Sequence, residues 1–178
     1  GETILKAAQR HGVEIPHLCY SDGLRPDGNC RACVVEIAGE RTLAPSCCRA
    51  PTEGMKVQAA SPRARKSQQM VVEMLLSDMP DTGYRWNDGG INAPELIASS
   101  AYPSSTSGQF ESKNPETIGQ HGELSAWADR LGVTVRPALQ ALRREQPAAD
   151  LSHPAMAVNL DACIQCNRCV RACREEQV

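Results

Sequence analysis

The sequence predicts an α+β chain assembled from small cysteine-bearing modules. Three observations carry that expectation. One helical and three short strand patterns follow each other over residues 1–60. Helical patterns return at 61–78 and 123–145. Nine cysteines fall into two sets near the two ends, with none between Cys48 and Cys163.

The elements follow in chain order. Gly1 to Gly12 reads as a short helix: Thr3 can cap its start, Ile4, Ala7 and Ala8 share a face, and Gly12 suits a left-handed stop. Val13, Ile15 and Leu18 form an extended lead into Cys19. Cys33–Ile37 is expected as a strand, Ala38–Glu40 as a turn, Arg41–Ala44 as the return strand and Gly54–Gln58 as a third, giving a small mixed sheet. Ser61-Pro62 opens a helix to about Asp78 that should bury Val71, Val72, Met74, Leu75 and Leu76. Arg63, Arg65 and Lys66 lie in its first turns against the helix dipole, a solvated face or a dock for an acidic partner. Residues 79–121 lose all periodicity among Pro, Gly, Ser and Asn, as an irregular or inserted stretch does. Glu123–Leu131 and Arg136–Glu145 are expected as helices, divided by Gly132 and ended by Pro147.

A length of 178 residues allows one ordinary domain or two small ones. Aromatics make up only 3% against 41% hydrophobic residues, so the core must be aliphatic and modest, and bound cofactors should help hold it. A net charge of −2 leaves no footprint for nucleic acid. No apolar run approaches the roughly 20 residues of a membrane span, so neither nucleic acid nor membrane is an expected partner. With no signal segment at Gly1, the odd number of cysteines argues for metal binding in a reducing, cytoplasmic compartment over a disulfide framework.

Cys19, Cys30, Cys33 and Cys47 are spaced C-x10-C-x2-C-x13-C. Four thiolates are what a [2Fe–2S] cluster requires, and Gly23 and Gly28 in the long loop let backbone N–H groups approach its sulfides. A zinc site using Cys30 and Cys33 is the alternative, although the region lacks the second close pair of a zinc ribbon. Cys48 competes with Cys47 for the fourth position and is expected as a spare thiol able to replace it. Cys163, Cys166, Cys169 and Cys173 match the bacterial ferredoxin run, in which the first three hold a [4Fe–4S] cluster and the fourth serves a second one. No later run supplies the remaining ligands, and the chain opens on Gly1 rather than Met, so a piece of a longer protein is expected. His17 could hydrogen-bond near the first set, and His153 could approach the second; His11 and His121 carry no signal. Arg31, Arg168, Arg171 and Arg174 sit beside ligands, either raising cluster potentials or serving as surface charges.

Gly1-Glu-Thr-Ile-Leu, Pro16-His-Leu-Cys19, Gly28-Asn-Cys-Arg-Ala-Cys-Val-Val-Glu-Ile37 and Leu43-Ala-Pro-Ser-Cys47 together resemble the electron-entry regions of three groups of enzymes. These are cytosolic NAD-dependent formate dehydrogenases, iron-only hydrogenases and NADH:quinone oxidoreductases. Arg25-Pro-Asp-Gly-Asn-Cys30, Gly122–Arg130, His153–Cys163 and Asp161–Glu176 most resemble the formate dehydrogenase α subunit. The other two groups usually carry a cluster motif of one histidine and three cysteines after the first domain, for which this sequence has no cysteines.

The resemblance implies a β-grasp [2Fe–2S] ferredoxin-like domain over 1–60 without its first hairpin, and a linker helix over 61–78. It does not extend over 79–121. A helical segment over 122–147 and the first half of a [4Fe–4S] ferredoxin module over 148–178 complete it. It further implies a molybdenum or tungsten bis-pterin centre for formate in a C-terminal part outside these residues, and a flavin- and NAD-binding diaphorase subunit as partner. No residue here is expected to be catalytic. The equivalent region of a hydrogenase or quinone oxidoreductase, and a zinc-stabilised interaction module, are the competing readings.

Overall fold

The computed structural model describes residues 1–79, 123–145, 150–154, 156–158, 160 and 163–177. The irregular stretch expected over 79–121 lies, apart from Met79, outside the described residues, as does Pro147.

Helix α1 spans Ile4–Arg10. Thr3 caps it by accepting from the Lys6 N–H, and Gly12 closes it at φ +71°. Its first N–H groups find carbonyls elsewhere, Ile4 donating to Arg49 at 2.8 Å and Leu5 to Ser46 at 3.0 Å. The helix start is thereby tied to the turn that carries Cys47.

Strand β1 (Val34–Ile37) lies between β2 (Ala44–Pro45) and β3 (Val57–Gln58). Val34 pairs with Pro45, Val35 with Ala44, Glu36 with Gln58 and Ile37 with Val57, every ladder antiparallel. The expected mixed sheet is thus corrected to an antiparallel one among the described residues. The return strand also lies later than the expected Arg41–Ala44. Ser46 continues the pairing past Pro45, which has no N–H, by donating both its N–H (3.1 Å) and its hydroxyl (2.7 Å) to the Cys33 carbonyl. Ile4, Leu5, Ile15, Tyr20, Val35, Ile37 and Ala44 form the first core, together with Cys33 and Cys47.

Helix α2 spans Pro62–Ser77, with Ser61 accepting from the Ala64 N–H at 3.1 Å. Its buried stripe is Ala64, Gln68 and Val72, four residues apart, joined by Glu73. Met74 falls off that stripe and is 59% exposed, contrary to its expected burial, while Val71, Leu75 and Leu76 are half-buried. Gln68 is the residue that hydropathy conceals. Its amide donates to the Val34 carbonyl at 2.9 Å and the Ala59 carbonyl at 3.0 Å, clamping the helix to the sheet. Arg65 and Lys66 are exposed, and Arg63 donates to the Arg41 carbonyl, in keeping with a solvated face.

Helix α3 (Glu123–Leu131) packs on α2 and ends at Gly132, φ +63°. Leu124, Ala128 and Leu131 join Leu18, Ala32 and Val72 in a second core. The expected helix over 136–145 is only one turn, α4 (Pro137–Gln140), with no side-chain cap at its start. Its neighbour Arg136 is instead drawn to Glu73, donating from Nε at 2.7 Å and from its backbone N–H at 3.0 Å. That side-chain bond, then the backbone bond, holds the Glu73 carboxyl below its usual range. Because the folded value lies below the unfolded one, the stabilisation is complete above about pH 4.3 and is lost as the pH falls through the folded value. Urea midpoints of the parent and Glu73→Gln should therefore differ at pH 7 and converge in acid; a gap independent of pH would contradict this.

A hairpin not expected from the sequence follows, β4 (Asp150–His153) against β5 (Met156–Val158), antiparallel with an irregular register. Helix α5 (Arg168–Glu176) comes last.

Candidate metal centre

The four cysteines of the first set come from three local structures and meet between the two cores. Cys19 follows the buried Leu18 and ends the extended lead from α1. Cys30 and Cys33 bracket the tight turn into β1, where Arg31 adopts φ +59° and Ala32 is fully buried. Cys47 sits just beyond β2, on the turn that α1 and Ser46 hold in place. Cys19, Cys33 and Cys47 are 1%, 1% and 0% exposed, and Cys30 is half-buried against the second core.

The four thiols form one hydrogen-bonded group, Cys30 to Cys19, Cys19 to Cys47 and Cys47 to Cys33. The backbone N–H of Cys19 points at the Cys30 sulfur and that of Cys30 at the Cys19 sulfur, each at 3.4 Å. Hydrogen bonds first from the Cys30 thiol and then from the Cys47 thiol hold Cys19 far below the ordinary thiol range, at about 2. Cys33 is lowered to about 6, chiefly by the Cys47 thiol, with backbone help from Cys47. The partners move the other way: Cys30 is pushed up first by Cys19 and then by burial, and Cys47 by Cys19 and Cys33 and then by burial. Backbone N–H groups of Asn29, Cys30, Ala32 and Cys47 are arranged as donors to these sulfurs. Among the described residues no group of three or more His, Cys, Asp and Glu side chains is arranged around a single-ion site.

Cys48 is exposed, and its sulfur lies 3.5 Å from that of Cys47. Gly28, at φ +63°, leaves it room: a Cβ there would come within 3.0 Å of the Cys48 sulfur. His17 is half-buried and donates from Nδ1 to the Ile15 carbonyl at 2.8 Å, with its ring edge-on to Tyr20. It serves the loop's backbone rather than a sulfur.

The second set is more open. Cys163 and Cys166 are half-buried, whereas Cys169 and Cys173, on α5, are exposed. Left-handed turns at Gln165 (φ +54°) and Asn167 (φ +59°) curl the loop, and the Gln165 N–H points at the Cys163 sulfur at 3.4 Å. Arg144 donates to the Cys163 carbonyl at 2.9 Å, and Arg168 is held by Glu123 of α3. His153 is exposed.

The two sets are stitched together. Asn29 donates from Nδ2 to the Gln165 carbonyl at 2.9 Å, and the Arg25 N–H donates to Glu175 at 2.9 Å. Arg171, buried on α5, donates to the carbonyls of Cys19 and Arg25. Ile164 packs on the second core beside Cys30. Of the four arginines singled out by sequence position, only Arg171 is buried. No local signal distinguished it.

Residues 1–62 match the 2Fe-2S iron-sulfur cluster binding domain family. An NADH-quinone oxidoreductase subunit of Rhizobium meliloti (strain 1021) is 30% identical over 175 residues, covering 98% of this chain and 17% of that protein. NADP-reducing hydrogenase subunit HndD of Solidesulfovibrio fructosivorans is 30% identical over 192 residues, covering 99% of this chain and 26% of that protein. Among solved structures, an NAD+-reducing [NiFe]-hydrogenase in its H2-reduced state matches with a TM-score of 0.65 and 26% identity, over 99% of this chain and 61% of that one. The chain therefore spans only a fraction of the length of these relatives. No described helix is long and apolar enough to cross a membrane.

Proposed function

Because residues 1–62 match a 2Fe-2S iron-sulfur cluster binding domain, we propose that Cys19, Cys30, Cys33 and Cys47 hold a [2Fe–2S] cluster that relays electrons. The observation that carries this is the convergence of four mutually hydrogen-bonded thiols, three of them buried, with backbone N–H groups pointing at their sulfurs. Two thiolates for each of two irons is the donor set such a cluster takes. An iron–sulfur cluster supplies one-electron carriage. The chain's own residues do the rest: N–H groups stabilise charge on sulfur, and the two apolar cores keep water away.

Cys163, Cys166 and Cys169 are assigned to a [4Fe–4S] cluster and Cys173 to a second one, on the strength of their spacing and of the left-handed turns that bare N–H groups between them. The chain would then be the electron-relay region of the large iron–sulfur subunit of an NAD(P)-linked oxidoreductase, working beside a flavin- and NAD-binding subunit in the cytoplasm. The names of the relatives support that coarse reading.

Among parents, we favour a formate dehydrogenase whose molybdenum or tungsten bis-pterin centre lies outside these residues. The specific support is the absence of cysteine between Cys48 and Cys163, where hydrogenase and quinone-oxidoreductase relatives usually place a further cluster. Those two enzymes are the second reading, supported by the names of the relatives. Metal analysis of the parent protein, with formate-dependent NAD+ reduction, separates them: molybdenum or tungsten with that activity supports the first reading, and neither supports the second.

The test of the site is EPR on anaerobically reconstituted, dithionite-reduced chain, with iron and zinc quantified on one sample. A [2Fe–2S] signal with little zinc is expected. Zinc without a paramagnetic signal would overturn the redox reading in favour of a structural module.

A further inference from the structure

We propose that Arg171, carried by the second cysteine run, is the charge-balancing cation of the first cysteine site and raises the potential of the cluster held there. The inference rests on the [2Fe–2S] reading above.

Arg171 is a buried charge that lacks an ordinary counter-ion, only 6% exposed. Its two terminal nitrogens donate to main-chain carbonyls, Nη2 to Cys19 and Nη1 to Arg25, and its Nε is buried with no hydrogen-bond partner. Asp27 and Glu175 line the same crevice, but Glu175 accepts from the Arg25 N–H, and among the described residues no carboxylate pairs with Arg171. A guanidinium cannot shed its proton at accessible pH, so burial without an anion is costly. The negative charge that answers it lies next door. Nη2 binds the carbonyl of Cys19, whose sulfur belongs to the four-thiol site.

The other nearby arginines do not fill this role. Arg168 is engaged by Glu123, and Arg31 and Arg174 are exposed, where solvent screens them. A ligated cluster gains one negative charge when it takes up an electron, and no bond is made or broken. A fixed cation close by favours that reduced state, which raises the potential. Arg171 is thus a positioning and tuning residue. It also makes the first site sensitive to whether α5 is docked.

The test is an EPR-monitored redox titration of the [2Fe–2S] signal in the full chain, comparing the parent with Arg171→Gln, Arg171→Lys and Arg174→Gln. In Arg171→Gln, the reduced-to-oxidised ratio at the parent's midpoint should fall about tenfold or more, a shift of about 59 mV for one electron. Arg171→Lys should restore most of it, and Arg174→Gln should change little. An unchanged midpoint in Arg171→Gln overturns the proposal. So do equal falls in the Gln and Lys variants, because those would reflect docking rather than charge. If Arg171→Gln does not fold, Arg171→His replaces it. Its midpoint should fall as the pH rises through about 6.5, more steeply than the parent's, and equal slopes overturn the proposal. Absence of iron and of any signal in the parent would instead overturn the [2Fe–2S] reading, and this inference with it.

Discussion

Replacing Cys30 by Ser should abolish the [2Fe–2S] EPR signal and lower the iron bound at the first site on the order of tenfold or more. The reason lies in the pairing. Cys30 and Cys19 exchange N–H···S contacts at 3.4 Å, and each thiol sets the proton affinity of the other. A serine hydroxyl keeps the shape but does not ionise at neutral pH, so one iron would lose half its protein ligands. Cys47 makes the informative contrast. Cys48 stands 3.5 Å away, exposed and with room beside Gly28, so Cys47→Ser should retain part of its cluster while Cys30→Ser retains none. A Cys30→Ser protein with a normal signal and full iron would remove Cys30 from the ligand set. Complete loss in Cys47→Ser would remove Cys48 as the spare.

Leu18→Ala should cost about 2–5 kcal/mol of stability. Leu18 is fully buried and packs with Ala32, Val72, Leu124, Ala128 and Leu131, so it joins the cysteine loop to α2 and α3. Truncation leaves a void at the junction of α2 and α3, which Gln69 also ties by donating its amide to the Leu131 carbonyl at 2.9 Å. Leu18→Met, which conserves volume, should cost less than about 1.5 kcal/mol. Denaturant midpoints of the two variants check the claim. A loss within about 0.5 kcal/mol for the alanine, the range of ordinary surface changes, would show that the second core bears little load.

Local chemistry was legible in the sequence, and distant contacts were not. Thr3, Gly12, Ser61-Pro62 and Gly132 announced helix ends, because capping is decided within a turn of chain. The spacing of Cys19, Cys30, Cys33 and Cys47 pointed to one site, and the structure brings them together. The burial of Gln68 was hidden because its partners, Val34 and Ala59, belong to the sheet. Met74 misled because its hydropathy is high but its helical position faces away from the core. The hairpin Asp150–Val158 escaped notice because its ladder is irregular, so no steady alternation of apolar and polar residues marks it. Arg171 was indistinguishable from its neighbours for the strongest version of the same reason: what buries it lies at the other end of the sequence.

That separation has a temporal side. The bond from Arg171 to the carbonyl of Cys19 joins residues 152 positions apart. At a synthesis rate of about 5–20 residues per second, Cys19 exists for roughly 8–30 seconds before its partner is made. Contacts of such long range are also the slow ones to close. During that interval the Cys19 carbonyl lacks its Arg171 donor, so the nascent chain passes through a stage at which the first cysteine site stands without its α5 contacts.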